Sequence, residues 1–264
     1  MSRFSKVLLL GSRGLLGSHV EAALRNKAIF PVVEPPDHRF AGGQDVRRYV
    51  LGHGPTTVIN CIGYTGPNPL EHYRVNGWFP RIMGDCCQSL GILFVQVSTN
   101  AVFAPDLERR WLPSDPLDPG TPYEISKALG EDPRAYVIRA SFIGASPKGH
   151  SLFDRLRKGM DYVNRRWNGV SVDTLARRIV DVVVGGDGVP TAAVEHVHSP
   201  RVSTLAEIAS LMESSSTPEY ESQDARLLGG GGVLPDIRDQ LCGSCCWIDE
   251  GRPSPSCHRE SVIR

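Results

Sequence analysis

Two side chains that can handle a proton lie four residues apart in the segment TPYEISKALGE, residues 121–131. Four residues are about one helical turn, so Tyr123 and Lys127 leave the same face of a helix in the same direction. A neighbouring ammonium favours the phenolate form of a tyrosine because opposite charges attract. The pair therefore suits proton transfer to or from an oxygen atom, although two surface side chains that merely share a helix face show the same spacing.

A run of glycines follows the first apolar segment of the chain. Gly11, Gly14 and Gly17 are spaced G-x-x-G-x-x-G between KVLLL, a short strand, and SHVEAALRN, which has apolar residues at helical spacing. Glycines at a strand–helix junction permit a tight turn, close approach of the main chain to a pyrophosphate, and close packing of helix on sheet. The start of the helix then offers free N–H groups to the phosphates. This turn predicts that the protein binds a dinucleotide.

Charged residues near the glycine turn bear on which dinucleotide binds. Glu34 ends the second predicted strand, where an acid can accept a hydrogen bond from a ribose 2′-hydroxyl, and this favours NAD. Arg13 and Arg39 could instead bind the 2′-phosphate of NADP. The predicted cofactor is therefore NADP(H) or NAD(H), and the sequence leaves the choice open.

The elements that must position these residues alternate between strand and helix. The predicted strands are 6–10, 28–33, 56–63, 92–98 and 135–144. Helices are predicted at 18–26, at 71–91 with a break or a start near Pro80, and in the segment that holds Tyr123 and Lys127. This alternation predicts an α/β fold, a Rossmann-type doubly wound parallel sheet with a small C-terminal substrate lobe. Residues 1–145 are predicted to form the dinucleotide-binding domain, to which 168–200 return, and 146–264 the substrate-binding lobe with an irregular tail at 215–264. Within the lobe, 151–160, 173–186 and 203–212 are predicted helices, the last with Ser203 as its N-cap, and 194–200 is a predicted strand.

The end of the fourth predicted strand connects the Tyr–Lys pair to a ligand site. That strand runs into Ser98, Thr99 and Asn100. In a doubly wound sheet, ligands lie beyond the carboxyl ends of the strands. A hydroxyl at this strand end, followed in the chain by Tyr123 and Lys127, supplies the groups needed to deliver a proton to a carbonyl.

Composition narrows the class of partner and the compartment. The chain has 29 basic and 29 acidic residues, so no broad basic surface for nucleic acid and no polybasic membrane patch is implied. The first apolar run, VLLL, is far too short to span a bilayer and lacks the features of a signal peptide, so a cytoplasmic location is expected. No metal is predicted. A zinc site could be drawn from the late cysteines and His258, but a second paired knuckle at standard spacing is missing. These cysteines are Cys242, Cys245, Cys246 and Cys257.

The motifs, taken in order, resemble those of the extended short-chain dehydrogenase/reductases, and most closely the dTDP-4-dehydrorhamnose reductase group of sugar-nucleotide reductases. GSRGLLG is similar to the cofactor turn of that family, VSTNAVF to its STDYVF, PYEISKALGE to its Y-G-x-x-K-x-x-G-E, and VIRASFIG to its I-R-T-S-W-V-Y. VINCIGYTG resembles its third strand, and RVNGWFP resembles the helix that carries a buried Asn, here Asn76. The resemblance covers about residues 4–212.

This resemblance implies NAD(P)H-dependent reduction of the 4-keto group of a nucleotide-linked deoxysugar. Tyr123 would be the general acid, Lys127 would favour its ionisation and bind the nicotinamide ribose, and Thr99 would orient the substrate carbonyl. Asn100 and Phe142, which stand where the family usually has Asp and often Trp, are the implied substrate-binding residues. The implied cofactor-binding residues are Gly11, Arg13, Gly14, Leu15, Leu16, Gly17, Glu34, Cys61, Ile62, Gly63, Tyr123 and Lys127.

Two other functions stay open. A sugar-nucleotide epimerase, or a combined epimerase/reductase, would use the same cofactor site and need a further acid or base such as Cys61 or His72. A non-catalytic cofactor-binding subunit, similar to the regulatory subunit of methionine adenosyltransferase, is the alternative from another class. The segment from about 213 onward has no convincing counterpart in the family, which leaves room for that alternative. A nucleotide sugar is the expected partner, and a homodimer is one candidate assembly.

Overall fold

The computed structural model of the 264-residue chain describes residues 6–33, 40, 42–105, 110–159, 162–185, 192–211, 218–223, 236–237 and 241. The strands in chain order are β1 (Val7–Leu10), β2 (Val32–Val33), β3 (Thr57–Asn60), β4 (Leu93–Thr99), β5 (Tyr136–Ala140), β6 (Phe142–Ile143), β7 (Tyr162–Trp167), β8 (Val170–Ser171), β9 (Ala193–Val197), β10 (Ser203–Thr204) and β11 (Pro218–Gln223). Six of them form one parallel sheet in the order β2-β1-β3-β4-β5-β9. This architecture confirms the predicted doubly wound fold.

The central strands are apolar on both faces because helices cover both sides of the sheet. The helices are α1 (Leu15–Asn26), α2 (Gly43–His53), α3 (Pro69–Glu71), α4 (Phe79–Leu90), α5 (Pro122–Leu129), α6 (Leu152–Arg157), α7 (Val172–Val184) and α8 (Leu205–Leu211). Successive residues of β1 point to opposite faces: Val7 and Leu9 join the core under α1 and α7, while Leu8 and Leu10 join the core under α2 and α4. The two cores fix the sheet between its helical layers.

A π-helix, His72–Trp78, joins α3 to α4. Its wide turn is visible at Phe79, whose N–H donates to the carbonyl of Arg74, five residues earlier. Pro80 follows directly in the first turn of α4, where its missing N–H breaks the regular i to i−4 ladder. The sequence predicted one helix from 71 to 91, interrupted or started near Pro80. The π-helix is the form that this interruption takes.

The part of the chain after β5 builds a second, smaller packing unit. β6 pairs with β8, and β7 lies between β10 and β11. A separate apolar cluster contains Ile143, Phe153, Leu156, Trp167 and Ile208. β9 meanwhile pairs with β5 and completes the central sheet. The division of the chain into domains stays a prediction.

The structure corrects several predicted element boundaries. The second predicted strand shortens to Val32–Val33 because a turn with Ala28 at φ 58° closes α1. The fifth splits after Ala140, and its second part leaves the central sheet to pair with β8. Ser203 is not the N-cap: the hydroxyl of Thr204 accepts from the Glu207 N–H at 3.1 Å. The predicted 203–212 helix accordingly begins at Leu205.

The other predicted elements of the lobe are present. Helices were predicted at 151–160 and 173–186, where α6 and α7 lie, and a strand was predicted at 194–200, where β9 lies. None of the helices in the described part of the chain combines the length and the apolar character that crossing a bilayer requires.

Candidate active site

The glycine turn is held by contacts that only glycine permits. Gly11 has φ +82°, and a Cβ there would lie 2.8 Å from the main chain of Cys61 and Ile62. A Cβ on Gly17 would lie 2.0 Å from the Gly11 carbonyl oxygen, so α1 packs directly on the turn. The Gly14 N–H donates to that same oxygen at 2.9 Å. The spacing therefore encodes a cradle of main-chain atoms between β1, β3 and α1.

The first turn of α1 is open to an anion. Gly14 is the N-cap, no side chain caps the helix, and the first turn holds no acid. Leu16 is buried in the core, Leu15 packs partly against it, and Arg13 is exposed beside the turn. These features fit a pyrophosphate bound at the helix start. Glu34 and Arg39, which bear on the choice of nicotinamide form, lie outside the described residues.

The main chain after β3 borders the glycine turn. The Cys61 N–H continues the sheet by donating to the Leu10 carbonyl at 2.9 Å, and the Ile62 N–H donates to the side chain of Asn60 at 3.1 Å. Cys61 and Ile62 are half-buried and Gly63 is exposed. The predicted cofactor-binding residues of this segment thus lie beside those of the glycine turn.

Thr99 and Asn100 stand where β4 ends. The Thr99 hydroxyl donates to the Asn100 side-chain oxygen at 3.3 Å and accepts from the Ala101 N–H at 3.2 Å. Asn100 is buried and begins a single 3₁₀ turn. The strand end therefore presents a hydroxyl whose orientation is fixed by its own following turn.

Helix α5 carries Tyr123 and Lys127 and begins with a strong start signal. The Thr121 hydroxyl accepts from the Glu124 N–H, the Glu124 carboxylate accepts from the Thr121 N–H, and Pro122 occupies the first turn. Lys127 reaches β4, where its Nζ donates to the Val97 carbonyl at 2.8 Å. Because Val97 lies two residues before Thr99, the helix and the strand end predicted to form the site lie together.

Lys127 is a buried cation with few partners. It is 7% exposed, and the bond to Val97 is its one hydrogen bond within the described part of the chain. Burial lowers the pKa of Lys127 from 10.5 to about 8, and the nearby Glu131 and Cys61 limit the fall. An ammonium has three N–H donors, so two of them are left for a bound molecule.

A buried amide network beside α5 was only partly foreseen. Asn76, predicted to be buried, is 1% exposed. Its side chain accepts from the Tyr64 N–H at 2.8 Å and donates to the Tyr64 carbonyl at 2.9 Å, so it fixes the loop after β3. It also lies 3.3 Å from the Ser126 hydroxyl, which donates to the Tyr123 carbonyl at 2.7 Å. Asn76 thus ties the cofactor-side loop to the helix of Tyr123.

A second buried cluster supports the strand end from the other side. Glu131 accepts two hydrogen bonds from Arg139 Nε and one, at 2.7 Å, from its Nη2, and a further bond from the Ser98 hydroxyl at 2.6 Å. The Arg139 guanidinium lies over the ring of Phe103, 5.0 Å from its centroid. Sequence reasoning assigned no role to Glu131 or Arg139, although both stand in segments matched to family motifs, PYEISKALGE and VIRASFIG.

Phe142, the other predicted substrate-binding residue, lies on β6 opposite Val170 and is half-buried against the core that α1 and α7 cover. No cluster of three or more His, Cys, Asp or Glu suited to a metal occurs among the described residues. The late cysteines and His258 fall outside them.

The parallel sheet, the glycine turn at its first strand and the Tyr–Lys helix beside its fourth define a Rossmann-type protein of the short-chain dehydrogenase/reductase kind. The family model of the RmlD substrate binding domain matches residues 5–164, and the chain belongs to this family.

Two curated relatives have similar sequences. The chain is 27% identical to a dTDP-4-dehydrorhamnose reductase of Streptomyces griseus over 149 residues, which are 52% of this chain and 49% of that enzyme. It is 27% identical to a dTDP-4-keto-6-deoxy-D-glucose reductase of Streptomyces niveus over 250 residues, 89% of this chain and 84% of that enzyme. The chain thus spans about half the length of the first relative and most of the second.

A solved structure shows the same fold. It is a dTDP-4-dehydrorhamnose reductase of Bacillus anthracis in complex with NADP, which superposes with a TM-score of 0.74 over 91% of this chain and 98% of that one, at 16% identity.

Proposed function

We propose that the protein reduces the 4-keto group of a nucleotide-linked deoxysugar with NADPH or NADH. The observation that carries this proposal is the buried ammonium of Lys127, held on β4 two residues before Thr99, with two N–H donors that find no acceptor among the residues the structure describes. A cation kept out of water with an incomplete set of partners is costly to a fold, so a bound ligand is the natural source of the missing acceptors.

The residues present fit a nicotinamide dinucleotide. The glycine cradle leaves no room for side chains between β1 and α1, and the uncapped start of α1 offers its N–H groups to phosphate oxygens. Lys127 would donate to the hydroxyls of the nicotinamide ribose. When bound, the reduced cofactor supplies a hydride.

The protein would supply the proton and the orientation. Tyr123 donates its phenolic proton to the substrate oxygen, and the Lys127 ammonium stabilises the negative charge left on the phenol. The Thr99 hydroxyl would turn its proton from the Asn100 side-chain oxygen to the same substrate oxygen and hold the carbonyl facing the cofactor. Asn100 and Phe142 are proposed to contact the sugar.

The substrate class rests on the relatives. Both curated relatives are named as reductases of dTDP-linked keto sugars, and the solved neighbour bears such a name and holds NADP. A keto sugar on a nucleotide is therefore the proposed substrate of this chain. The cytoplasmic location and the homodimer stay predictions of the sequence.

The test follows NAD(P)H oxidation at 340 nm with dTDP-4-keto-6-deoxy sugars as substrates. Tyr123→Phe removes the proton donor and keeps the ring, so we expect kcat to fall by about 10²- to 10⁴-fold with cofactor binding retained. Tyr73→Phe makes the same change at a half-buried tyrosine of the π-helix and serves as the matched control with unchanged kcat. Tight cofactor binding without turnover on any such sugar would contradict the proposal and favour a non-catalytic binding role.

A further inference from the structure

His72 lies between two tyrosine rings at the start of the π-helix. It is 7% exposed. The centroid of its imidazole lies 5.7 Å from that of Tyr123, with the planes at 74°, and 5.0 Å from that of Tyr64, with the planes at 68°. Both are edge-to-face contacts, the geometry that aromatic pairs favour because a positive ring edge meets a negative ring face.

His72 also has a polar contact with the side chain of Asn76, which orients the imidazole. Its Nδ1 lies 3.4 Å from the side-chain nitrogen of Asn76, one turn further along. That nitrogen is a donor, because the amide also donates to the Tyr64 carbonyl and its oxygen accepts from the Tyr64 N–H. The amide has two protons for three acceptors, the Tyr64 carbonyl, the Ser126 hydroxyl and Nδ1, and the contact with Nδ1 is the longest of the three. A ring with a fixed plane can in turn fix the plane of its neighbour.

The main chain of Tyr123 is already anchored, but its ring needs a separate constraint. The capping box of Thr121 and Glu124 fixes the start of the helix, and Ser126 holds the Tyr123 carbonyl. These contacts leave the two side-chain torsions of Tyr123 to be set by what touches the ring. The ring of His72 is one such contact, and it lies beside Asn76, which holds the loop that borders the cofactor cradle.

We propose that His72 is a positioning residue that holds the phenol of Tyr123 in the orientation for proton transfer. This inference rests on the proposed role of Tyr123 as proton donor. It assigns to His72 no proton transfer of its own. The imidazole acts through the ring contact, and Asn76 acts by orienting the imidazole.

The test separates the ring from the hydrogen bond of His72. His72→Asn keeps an acceptor near the position of Nδ1 and loses the ring, whereas His72→Phe keeps a ring and loses the acceptor. We expect kcat to fall about 10-fold in the Asn variant with KM unchanged, because the phenol acts in the transition state, and to stay within about 3-fold in the Phe variant. His72→Leu, which fills the space without an aromatic edge, takes the place of the Asn variant if that variant does not fold.

Three results would overturn the inference. One is a kcat within about 2-fold of wild type in both ringless variants. Another is a Phe variant as slow as the ringless ones. The third is a set of variants with lower melting temperatures and unchanged kcat, which would mark His72 as a purely structural residue.

A measurement without turnover keeps this inference distinct from the proposed function. With 3-fluorotyrosine at position 123, we expect the ¹⁹F resonance to lie away from that of the free amino acid in the wild type and in His72→Phe, and to move towards it in His72→Asn. If the wild type reduces no keto sugar, the proposed function fails while this comparison still tests the ring contact. The same shift in all three proteins would refute the contact as a constraint.

Discussion

Two buried cations on neighbouring elements differ in the partners that surround them. Arg139, on β5, faces a buried carboxylate, Glu131, through three hydrogen bonds, and its Nη1 donates to the Pro113 carbonyl at 3.1 Å. Lys127, on α5, has one hydrogen bond to a carbonyl and no ion pair within the described residues. The charge of the first cation is balanced by a hydrogen-bonded carboxylate, whereas among the described residues the second cation donates only to a carbonyl.

The difference separates a group that supports the fold from a group that serves the proposed chemistry. A matched pair in the interior neutralises its own charge and satisfies its donors, so it holds β5 to the end of α5. An ammonium that is buried with few hydrogen-bond acceptors destabilises the folded protein. The fall of the Lys127 pKa to about 8 reflects this cost. Glu131 lies between the two: it binds Arg139 directly and acts on Lys127 only through its charge.

The largest change in the free energy of unfolding is expected when the buried ion pair of Arg139 and Glu131 is broken. Arg139→Met leaves Glu131 as a buried carboxylate with Ser98 as its remaining partner, so we expect the free energy of unfolding to fall by about 3–5 kcal/mol in urea denaturation. Adding Glu131→Met should recover much of that loss, because the unpaired charge is then gone.

The control for this pair is a surface ion pair. Arg25 donates through Nε and Nη2 to one carboxylate oxygen of Glu21 along the surface of α1. Arg25→Met should change the free energy of unfolding by no more than about 0.5 kcal/mol. Equal costs at positions 25 and 139 would remove the contrast between exposed and buried pairs.

Removing the buried charge of Lys127 is expected to raise the free energy of unfolding, which is the opposite of the effect expected at Arg139. Lys127→Met keeps the length of the chain and removes the buried charge, and the Val97 carbonyl retains the Gln96 amide at 2.9 Å. The lowering of the pKa from 10.5 to about 8 disfavours the charged form by about 3 kcal/mol. We expect the variant to lose turnover and to gain about 1–3 kcal/mol of stability at pH 7.

The pH dependence of this gain is a second check on the same variant. The folded pKa lies below the unfolded one, so between about pH 8 and 10.5 the unfolded state binds more protons and the wild type grows more stable as pH rises. The advantage of Lys127→Met should shrink across that range. Lys158 is the matched surface control for removing the charge, because its amine also donates to a carbonyl, that of Gly149. Lys158→Met should change the free energy of unfolding at pH 7 by no more than about 0.5 kcal/mol.

The smallest change in stability is expected at His19, a half-buried side chain that is paired with a carboxylate. His19, on α1, lies with Nδ1 2.7 Å from the Asp173 carboxylate and Nε2 3.2 Å from the Ala145 carbonyl. Both neighbours are acceptors, so the doubly protonated ring is favoured, and the hydrogen bond to Asp173 raises the pKa of His19. This direction is the reverse of that at Lys127.

The sign of its pH effect is also reversed. Because the folded pKa is raised, the stabilisation is complete below the ordinary value of 6.5 and is lost as pH rises through the folded pKa. His19→Gln should lower the melting temperature by about 2 °C at pH 6 and by less at pH 9. A constant difference at position 19 would contradict the charged form.

The sequence predicts most of the sheet because its signals are local. Apolar runs mark β1, β3 and β4, and the glycine spacing marks the turn between β1 and α1. Helix α2 was not predicted, because only Val46 and Val50 of GQDVRRYVLGH are buried and two such residues make too weak an apolar pattern. The positions of strand ends and the split of the fifth strand depend on pairing partners that lie far away in the chain.

In the candidate site, too, the features with local signals could be predicted from the sequence and the contacts between distant segments could not. Thr99, Tyr123 and Lys127 could be proposed from a strand end and a spacing of four residues. The partners that hold them could not: Glu131 reaches Ser98 and Arg139 through the register of β4 and β5, and His72 meets Tyr123 only once the π-helix is packed on α5. Such contacts join segments distant in sequence, and no single stretch encodes them.

Gly130, just after the last residue of α5, sets how that helix lies against its neighbour. A Cβ there would come within 1.9 Å of the Asn76 carbonyl oxygen, so the two main chains touch with no side chain between them. There are no atoms at this point that could be trimmed to bring the helix closer, and any added atom forces it away. Engineering the protein to accept a larger sugar would therefore have to reshape the loops across from α5, with the helix itself left in place.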